Sequence, residues 1–247
     1  MGGCRHGGTL LLAGVGPVTR GSETRRHPGE SRYPAAVAVL VAIVLYAALP
    51  SALLVAPRFL VPVLEVALFV PLLVGNPRRM TRETRVLRSI SIVLILTIAA
   101  TNVVSLGLLV NELVHGVHQG TDLLLGAAQV WLTNIIVFAL AYWELDRGGP
   151  VVRTRSPRAQ LPPADFRFPQ DEDHDAVDEV AVRSAVRSDW SPAFLDYFYV
   201  SITNSSAFSP TDTMPLSHRA KMLMAVESVS ALMLSVIVIA RGVSLLH

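Results

Sequence analysis

Residues 196–212 read DYFYVSITNSSAFSPTD, an aromatic run followed by a polar run beside some of the most apolar sequence in the chain. A surface loop would leave the aromatic side chains at 197–199 with nothing to pack against. A buried helix is not expected to end in the polar residues 203–206, because buried polar groups need partners. A segment that enters a membrane part-way and then returns needs both halves. We therefore predict a re-entrant segment here.

The composition indicates a membrane protein. Of the 247 residues, 51% are hydrophobic and only 16% are charged, and the mean hydropathy is +0.48. A soluble domain has about 25% charged residues. The single cysteine, Cys4, excludes an intrachain disulfide and a cysteine-rich metal site. All basic residues except Lys221 are arginines, a bias that indicates a GC-rich bacterial source.

Five apolar stretches predict spanning helices of about 20 residues each, at 33–57, 58–77, 89–113, 122–146 and 221–246. Pro50 is expected to end the first helix. Tyr142 and Trp143 close the fourth stretch and are expected at the headgroup level. The predicted fold class is an all-α membrane protein with about five transmembrane helices plus one short re-entrant pore-type helix before the last span.

The chain divides into four predicted regions: a disordered cytoplasmic tail (1–32), a four-helix transmembrane region (33–146), a polar linker (147–190), and a re-entrant helix, polar loop and last span (191–247). The first part of the linker is basic and proline-rich and is expected to be extended. Arginines cluster in the connections that a cytoplasmic N-terminus and five spans put on one side. The predicted location is the bacterial inner (plasma) membrane, multi-pass, with the N-terminus in the cytoplasm.

The sequence contains no motif for catalysis or for nucleic-acid binding. It lacks a Gly-x-Ser-x-Gly elbow, a His-Glu-x-x-His pair and a phosphate-cradling glycine loop, and it carries no basic stripe with interleaved aromatics. The acidic cluster at 171–175 fits either a divalent cation or a solvated charge run. We favour the charge run, because the EF-hand spacing with its turn glycine is absent. We predict no enzyme activity, no cofactor, no metal and no nucleic-acid partner.

Ser191 followed by Pro192 is a helix-start signal, and about 12 helical residues follow it. A helix of about 18 Å is too short to cross a bilayer but long enough to reach its midplane. Backbone that leaves helical form at that depth is tolerated only where it lines water or is buried in protein. The predicted filter or pore-lining residues are Thr203, Asn204, Ser205, Ser206 and Asp212.

The order of outer helix, linker, short helix, polar loop and inner helix over about 122–246 resembles the pore-loop region of the potassium-channel superfamily. The stretch YFYVSIT at 197–203 resembles the end of that family's pore helix, and Asp212 with Pro215 matches the Asp-x-x-Pro that follows its filter. The family's Gly-Tyr-Gly or Gly-Phe-Gly filter is replaced by NSSAFSPT, so the resemblance does not imply potassium selectivity. The predicted orientation makes this loop enter from the cytoplasm, as in the superfamily's glutamate-receptor branch. The segment also looks like the closing region of small, uncharacterised bacterial multipass membrane proteins.

Two carboxyl groups, Glu65 and Glu227, fall inside predicted spans, where an ionisable side chain costs about 2.5–3.5 kcal/mol. Glu227 follows the predicted filter, so it either faces a conduction path, where it attracts cations or carries a proton, or is a carboxyl group that is protonated in place or hydrogen-bonded to a neighbouring helix. Asn102 and Asn134 lie in the third and fourth spans, where polar side chains favour helix packing.

The predicted function is a cation channel-like pore subunit that acts in the lipid bilayer as a homo-oligomer, with a tetramer as the expected state. The alternative is a non-conducting multipass membrane protein, either a scaffold or a small-solute transporter. Transporters usually contain paired inverted halves, and the chain has no internal repeat.

Overall fold

The computed structural model describes residues 29–81, 84–115, 120–206 and 212–244. The described residues form nine α-helices: α1 Tyr33–Ala47, α2 Leu60–Gly75, α3 Arg85–His115, α4 Gly120–Leu145, α5 Pro150–Arg155, α6 Asp178–Ala181, α7 Ala185–Ser188, α8 Phe194–Ser206 and α9 His218–Ser244. Two short strands, β1 Phe166–Arg167 and β2 Met214–Pro215, pair antiparallel. The predicted all-α class is confirmed. Most of the predicted N-terminal tail lies outside the described residues.

Apolar helices occupy all five stretches that predicted spans, but their lengths differ. Three of them, α3, α4 and α9, are long and apolar enough to cross a membrane. The other two, α1 and α2, have 15 and 16 residues. At 1.5 Å per residue they are about 22–24 Å long, which is less than the roughly 30 Å of a hydrocarbon core. A membrane protein is therefore plausible from three helices, and the number of crossings stays a prediction.

Proline explains where the first helix ends. Helix α1 stops at Ala47, three residues before Pro50, because proline has no N–H to donate and restricts the residue before it. The termination predicted at Pro50 is confirmed. In α2, Pro71 lies inside the helix.

The arginine-rich connections gather at one end of the helices, which we call the arginine-rich end: the starts of α1, α3 and α9 and the ends of α2 and α4. The backbone N–H of Arg32 donates to the carbonyl of Arg78 (3.2 Å), and that of Met80 donates to Glu30 (3.0 Å). A shallow depression at this end is lined by residues of α3, α4 and α5 as well as by Arg32. Arg219 at the start of α9 donates to the carbonyl of Leu145 at the end of α4 (3.2 Å).

Residues 146–193, which we call the cap, fold over the arginine-rich end. Phe166 packs against Tyr142 of α4 (ring centroids 5.0 Å apart), and Phe168 packs against Tyr197 of α8 (5.4 Å). Tyr142 is fully buried (0% exposed), so its ring packs inside the protein and not against lipid; its place at the headgroup level stays a prediction.

The linker's first part was expected to be extended, but it contains α5. Pro150 is the first residue of that helix, where a missing N–H costs nothing. A proline of the linker therefore begins a short helix instead of keeping the chain extended.

A glycine allows the turn after α1 to approach α4 closely. A Cβ atom at Gly126 would lie 2.5 Å from Leu53 Cδ1 and 3.5 Å from Pro50 Cδ. Leu53 is itself fully buried, so it has little room to move.

We expect Gly126→Val to lower the stability of the purified protein by about 1–3 kcal/mol, the usual cost of overpacking. Gly107→Val is the matched control, because a Cβ at Gly107 meets nothing within 4 Å. Thermal unfolding in detergent compares the two variants. Equal losses of stability in the two variants would contradict a close contact between Gly126 and Leu53.

Candidate functional site

Helix α8 runs beside α4 in the opposite direction and covers about half of its length. Phe194 at the start of α8 packs edge-on against Trp143 near the end of α4 (centroids 6.0 Å apart). Ser201 Oγ lies 2.8 Å from the carbonyl oxygen of Ile135, eight residues earlier in α4. With 13 residues, α8 is about 20 Å long and therefore ends near the middle of α4.

The chain then returns to the end from which α8 started. Strand β2 pairs with β1 of the cap, and the N–H of Leu216 donates to the carbonyl of Asp165 (2.7 Å). Helix α9 begins two residues later, at His218. Residues 207–211, between α8 and the returning segment, lie outside the described residues.

The start of α8 is held by a buried ion pair. The fully buried guanidinium of Arg153 lies 3.1 Å from Glu30 Oε2 and donates to the carbonyls of Trp143 (2.7 Å) and Pro192 (2.9 Å). Glu30 Oε1 accepts the N–H of Phe194 (2.7 Å), one of the N–H groups that a helix start leaves without an intrahelical partner. A carboxylate in this position also interacts favourably with the helix dipole.

Burial by itself lowers the pKa of Arg153, but the negative groups beside it, Glu30 and Asp146 among them, raise this pKa above its ordinary value. The guanidinium therefore stays charged. It also lies over the ring of Tyr197, 4.9 Å from the centroid, which is a cation–π contact.

Two further carboxylates tie the cap to three helices. Asp146, after α4, accepts the hydroxyl of Tyr197 from α8 (2.5 Å) and the backbone N–H of Asp165 (2.7 Å). Asp165 in turn pairs with both sides of the Arg219 guanidinium at the start of α9, with Nε to Oδ1 at 2.7 Å. The cap thus fixes where α4, α8 and α9 meet.

Glu227 lies at the centre of the contact between α4, α8 and α9 and is 0% exposed. Its Oε2 accepts hydrogen bonds from Tyr142 Oη (2.5 Å) and Asn204 Nδ2 (2.7 Å). Its Oε1 accepts hydrogen bonds from Ser205 Oγ (3.0 Å) and from Ser201 Oγ. Four donors fill the acceptor positions of the two oxygens. We call this set of five residues the Glu227 cluster.

The predicted filter residues lie in the last turn of α8, not in an unwound segment beyond it. Asn204 and Ser205 are buried in the Glu227 cluster. Ser206 is exposed, and Thr203 is half-buried. Both outer hydroxyls bond to the carbonyl four residues earlier, Thr203 to Tyr199 (2.7 Å) and Ser206 to Ile202 (2.6 Å). All four polar side chains of this turn are therefore satisfied while the backbone stays helical: two bond to carbonyls of α8, and two bond to Glu227 of α9. Asp212 is exposed on the returning segment.

A chain of amide and hydroxyl groups joins the other predicted residues to Glu227. Asn102 Nδ2 donates to Asn134 Oδ1 (3.4 Å), and Asn134 Nδ2 donates to Ser230 Oγ (3.1 Å). Ser230 Oγ donates to the backbone carbonyl of Glu227 (2.8 Å). Glu65 is buried between α2 and its neighbours, close to Asn102, as described below.

Sequence reasoning missed three members of these networks: Tyr142, Ser201 and Ser230. A signal for Ser201 exists, because Ser201, Asn204 and Ser205 stand at i, i+3 and i+4 and so share one helix face. No signal marks Tyr142 as a partner of Glu227, since the two residues are 85 positions apart.

Among the described residues, no group of three or more His, Cys, Asp or Glu side chains is arranged to hold a metal ion. Comparison of the chain with protein-family models, with curated proteins and with solved structures found no match. The resemblance to pore-loop channels therefore stays a prediction.

We expect Tyr142→Phe to lower the stability in detergent by about 1 kcal/mol, the scale of interhelical hydrogen bonds in membrane proteins. Tyr199→Phe is the control, because Tyr199 is 57% exposed. In a Glu227→Gln background the cost of Tyr142→Phe should shrink, since the two changes remove one interaction. If Tyr142→Phe costs as much stability in the Glu227→Gln background as in the wild type, the Tyr142 hydroxyl does not act through Glu227.

Proposed function

We propose that the chain is an integral membrane protein and one subunit of an oligomeric pore that conducts cations. The observation that carries the proposal is the half-length helix α8, which ends beside the middle of α4 while the chain returns to its starting end. Pore loops have this arrangement. The backbone at the tip of such a loop is not helical and lies at membrane depth, so it needs water or protein around it. In this proposal the protein is not an enzyme.

Exposed apolar side chains support the lipid bilayer as a partner. In the apolar 18-residue stretches of α3 and α9, only 33% and 22% of the residues, respectively, are buried within the chain. Val103 and Val104 on α3 and Val226 and Val229 on α9 are among the exposed side chains. A soluble monomer rarely exposes a continuous apolar surface of this extent, whereas lipid or further subunits cover it without cost.

The filled Glu227 cluster argues that ions pass between subunits, not through one chain. Helices α4, α8 and α9 close around Glu227, and its oxygens are already occupied by Tyr142, Ser201, Asn204 and Ser205. A pathway shared by several subunits would instead be lined by outward-facing groups. Thr203, Ser206 and Asp212 are the predicted pore residues that meet this condition.

This assignment divides the predicted filter residues into two roles. Asn204 and Ser205 position the end of α8 through Glu227. Thr203 and Ser206 stand near the C-terminal end of α8, where a helix dipole places partial negative charge that attracts cations. Asp212 adds a full negative charge at the proposed mouth. Four copies around one axis form the smallest arrangement that matches the channel resemblance.

Reconstitution into liposomes tests conduction. We expect cation flux above that of empty vesicles, and we expect Asp212→Asn to lower the flux several-fold at low ionic strength but little at high ionic strength, because salt screens exposed charges. Asp175→Asn, on the exposed surface of the cap, is the matched control. A monomeric preparation that gives no flux would contradict the proposal.

Cysteine accessibility tests the two roles. In a Cys4→Ser background, Ser206→Cys should react with a water-soluble thiol reagent, whereas Ser205→Cys should be protected by the Glu227 cluster. Both substitutions are conservative in size, and they differ by one position in the same helix turn. Equal protection of both would favour a packed bundle without a pore.

A second candidate, a non-conducting scaffold, is favoured by one feature of the cap. Val177, Val180, Val182 and Val186, which lie on or beside α6 and α7, are all exposed. They form an apolar group outside the long helices, of the kind that a partner protein covers. The absence of flux together with retained folding would favour this alternative.

A further inference from the structure

A further carboxyl group, Glu65, is buried among the apolar helices on the other side of the Asn102–Asn134 link from Glu227, and it lies beside a small cavity. Glu65 on α2 is 1% exposed, and its Oε2 has no hydrogen-bond partner among the described residues. The hydroxyl of Tyr46 on α1, a residue that is 5% exposed, also lacks a described partner. Two unsatisfied oxygens in one apolar region are costly unless something else binds them.

Both residues line the same small cavity. Its volume is about 10 Å³, which is room for a single occupant of the size of a water molecule. Besides Glu65 and Tyr46, its polar lining comes from α3 and α4: Thr101, Asn102, Ser105 and Thr133. Every polar side chain in this lining carries an oxygen atom, and no described basic side chain is among them.

The oxygens of this lining are still able to accept a ligand. Thr101 and Thr133 donate their hydroxyl protons to backbone carbonyls of their own helices (3.0 and 2.9 Å), and Ser105 donates to the carbonyl of Leu53 (3.0 Å). Asn102 uses its Nδ2 as the donor to Asn134 (3.4 Å). The three hydroxyl protons are therefore already used, and each of the four groups has an oxygen lone pair that is able to bind a cation.

We propose that this cavity is a binding site for one dehydrated monovalent cation of the size of sodium. Hard cations take oxygen ligands such as carboxylates, hydroxyls and amide carbonyls. One carboxylate balances one positive charge, so a monovalent ion leaves the site neutral within the apolar helices. A divalent ion would leave an uncompensated charge there, which the interior does not tolerate.

The proposed site is separate from the proposed pore. It lies among α1, α2, α3 and α4, whereas the pore residues lie on α8 and the segment before α9. The link from Asn102 through Asn134 and Ser230 to Glu227 connects the two places. A bound cation at Glu65 would thus order the contact of α3 with α4, and Asn134 joins that contact to α9 through Ser230.

Thermal unfolding of the purified protein in detergent, with sodium chloride exchanged for choline chloride at constant ionic strength, tests the site without requiring conduction. We expect sodium to raise the Tm in a saturable manner, because a ligand that binds only the folded state stabilises it. Potassium should have a weaker effect. The same Tm in sodium, potassium and choline would overturn the proposal.

Variants identify the residues. Glu65→Gln should weaken the apparent sodium affinity by at least about tenfold, which is the loss of 1.4 kcal/mol or more of binding free energy. Glu179→Gln, which removes an exposed carboxylate from the cap, is the control and should respond as the wild type. Tyr46→Phe removes one oxygen and keeps Glu65, so it should weaken sodium binding less. If both Glu65→Gln and Tyr46→Phe respond to sodium as the wild type does, the assignment of these residues to the site is overturned. If Glu65→Gln does not fold, the sodium response of Tyr46→Phe alone tests the assignment.

Discussion

The requirement that a buried carboxyl group be fully hydrogen-bonded determines how helices α4, α8 and α9 meet. Glu227 is the only acidic residue of helix α9, and four donors from α4 and α8 surround its two oxygens. An unsatisfied or unpaired carboxyl group at this place would cost several kcal/mol, more than most single contacts in a protein contribute. Three of the four donors, Ser201, Asn204 and Ser205, lie on one face of α8. The depth at which α8 ends is therefore set by polar contacts, since its apolar contacts alone would permit sliding.

The other end of α8 is fixed by charge. Glu30 bonds to the first N–H of the helix and pairs with the buried Arg153, which in turn bonds to Trp143 of α4. A buried pair of this kind contributes little net stability but makes the loss of either partner costly, so it specifies one arrangement. With both ends held, a helix of 13 residues is confined to half the length of α4. A longer or unpinned segment would be free to cross completely or to lie across the helix ends.

Local sequence features predicted much of the fold, whereas contacts between distant residues limited the prediction of the site. The apolar stretches gave the places of α1, α2, α3, α4 and α9, and Pro50 gave the end of α1, because these depend on neighbouring residues alone. The lengths of α1 and α2 were overestimated, since apolar turns that follow a helix look the same as the helix in composition. The polar run at 203–206 was expected to be non-helical, because the sequence does not indicate that its side chains bond to Glu227 and to carbonyls of their own helix. The packing of Tyr142 against Phe166 was missed for the same reason: Phe166 lies 24 residues further along the chain.

Glu227 and Glu65, the two carboxyl groups in the interiors of apolar helices, differ in how many hydrogen bonds their oxygens receive. Glu227 has a donor at every acceptor position, so further ligands would have to displace a bond that holds α8 in place. Among the described residues, Glu65 Oε2 and the hydroxyl of Tyr46 have no hydrogen-bond partner, and both residues line one cavity. A protein gains nothing in stability from leaving such a group unsatisfied, because an apolar residue of similar volume would pack there at lower cost. The Glu227 cluster positions the polar end of α8, and the cavity beside Glu65 is where we propose that the chain binds a cation.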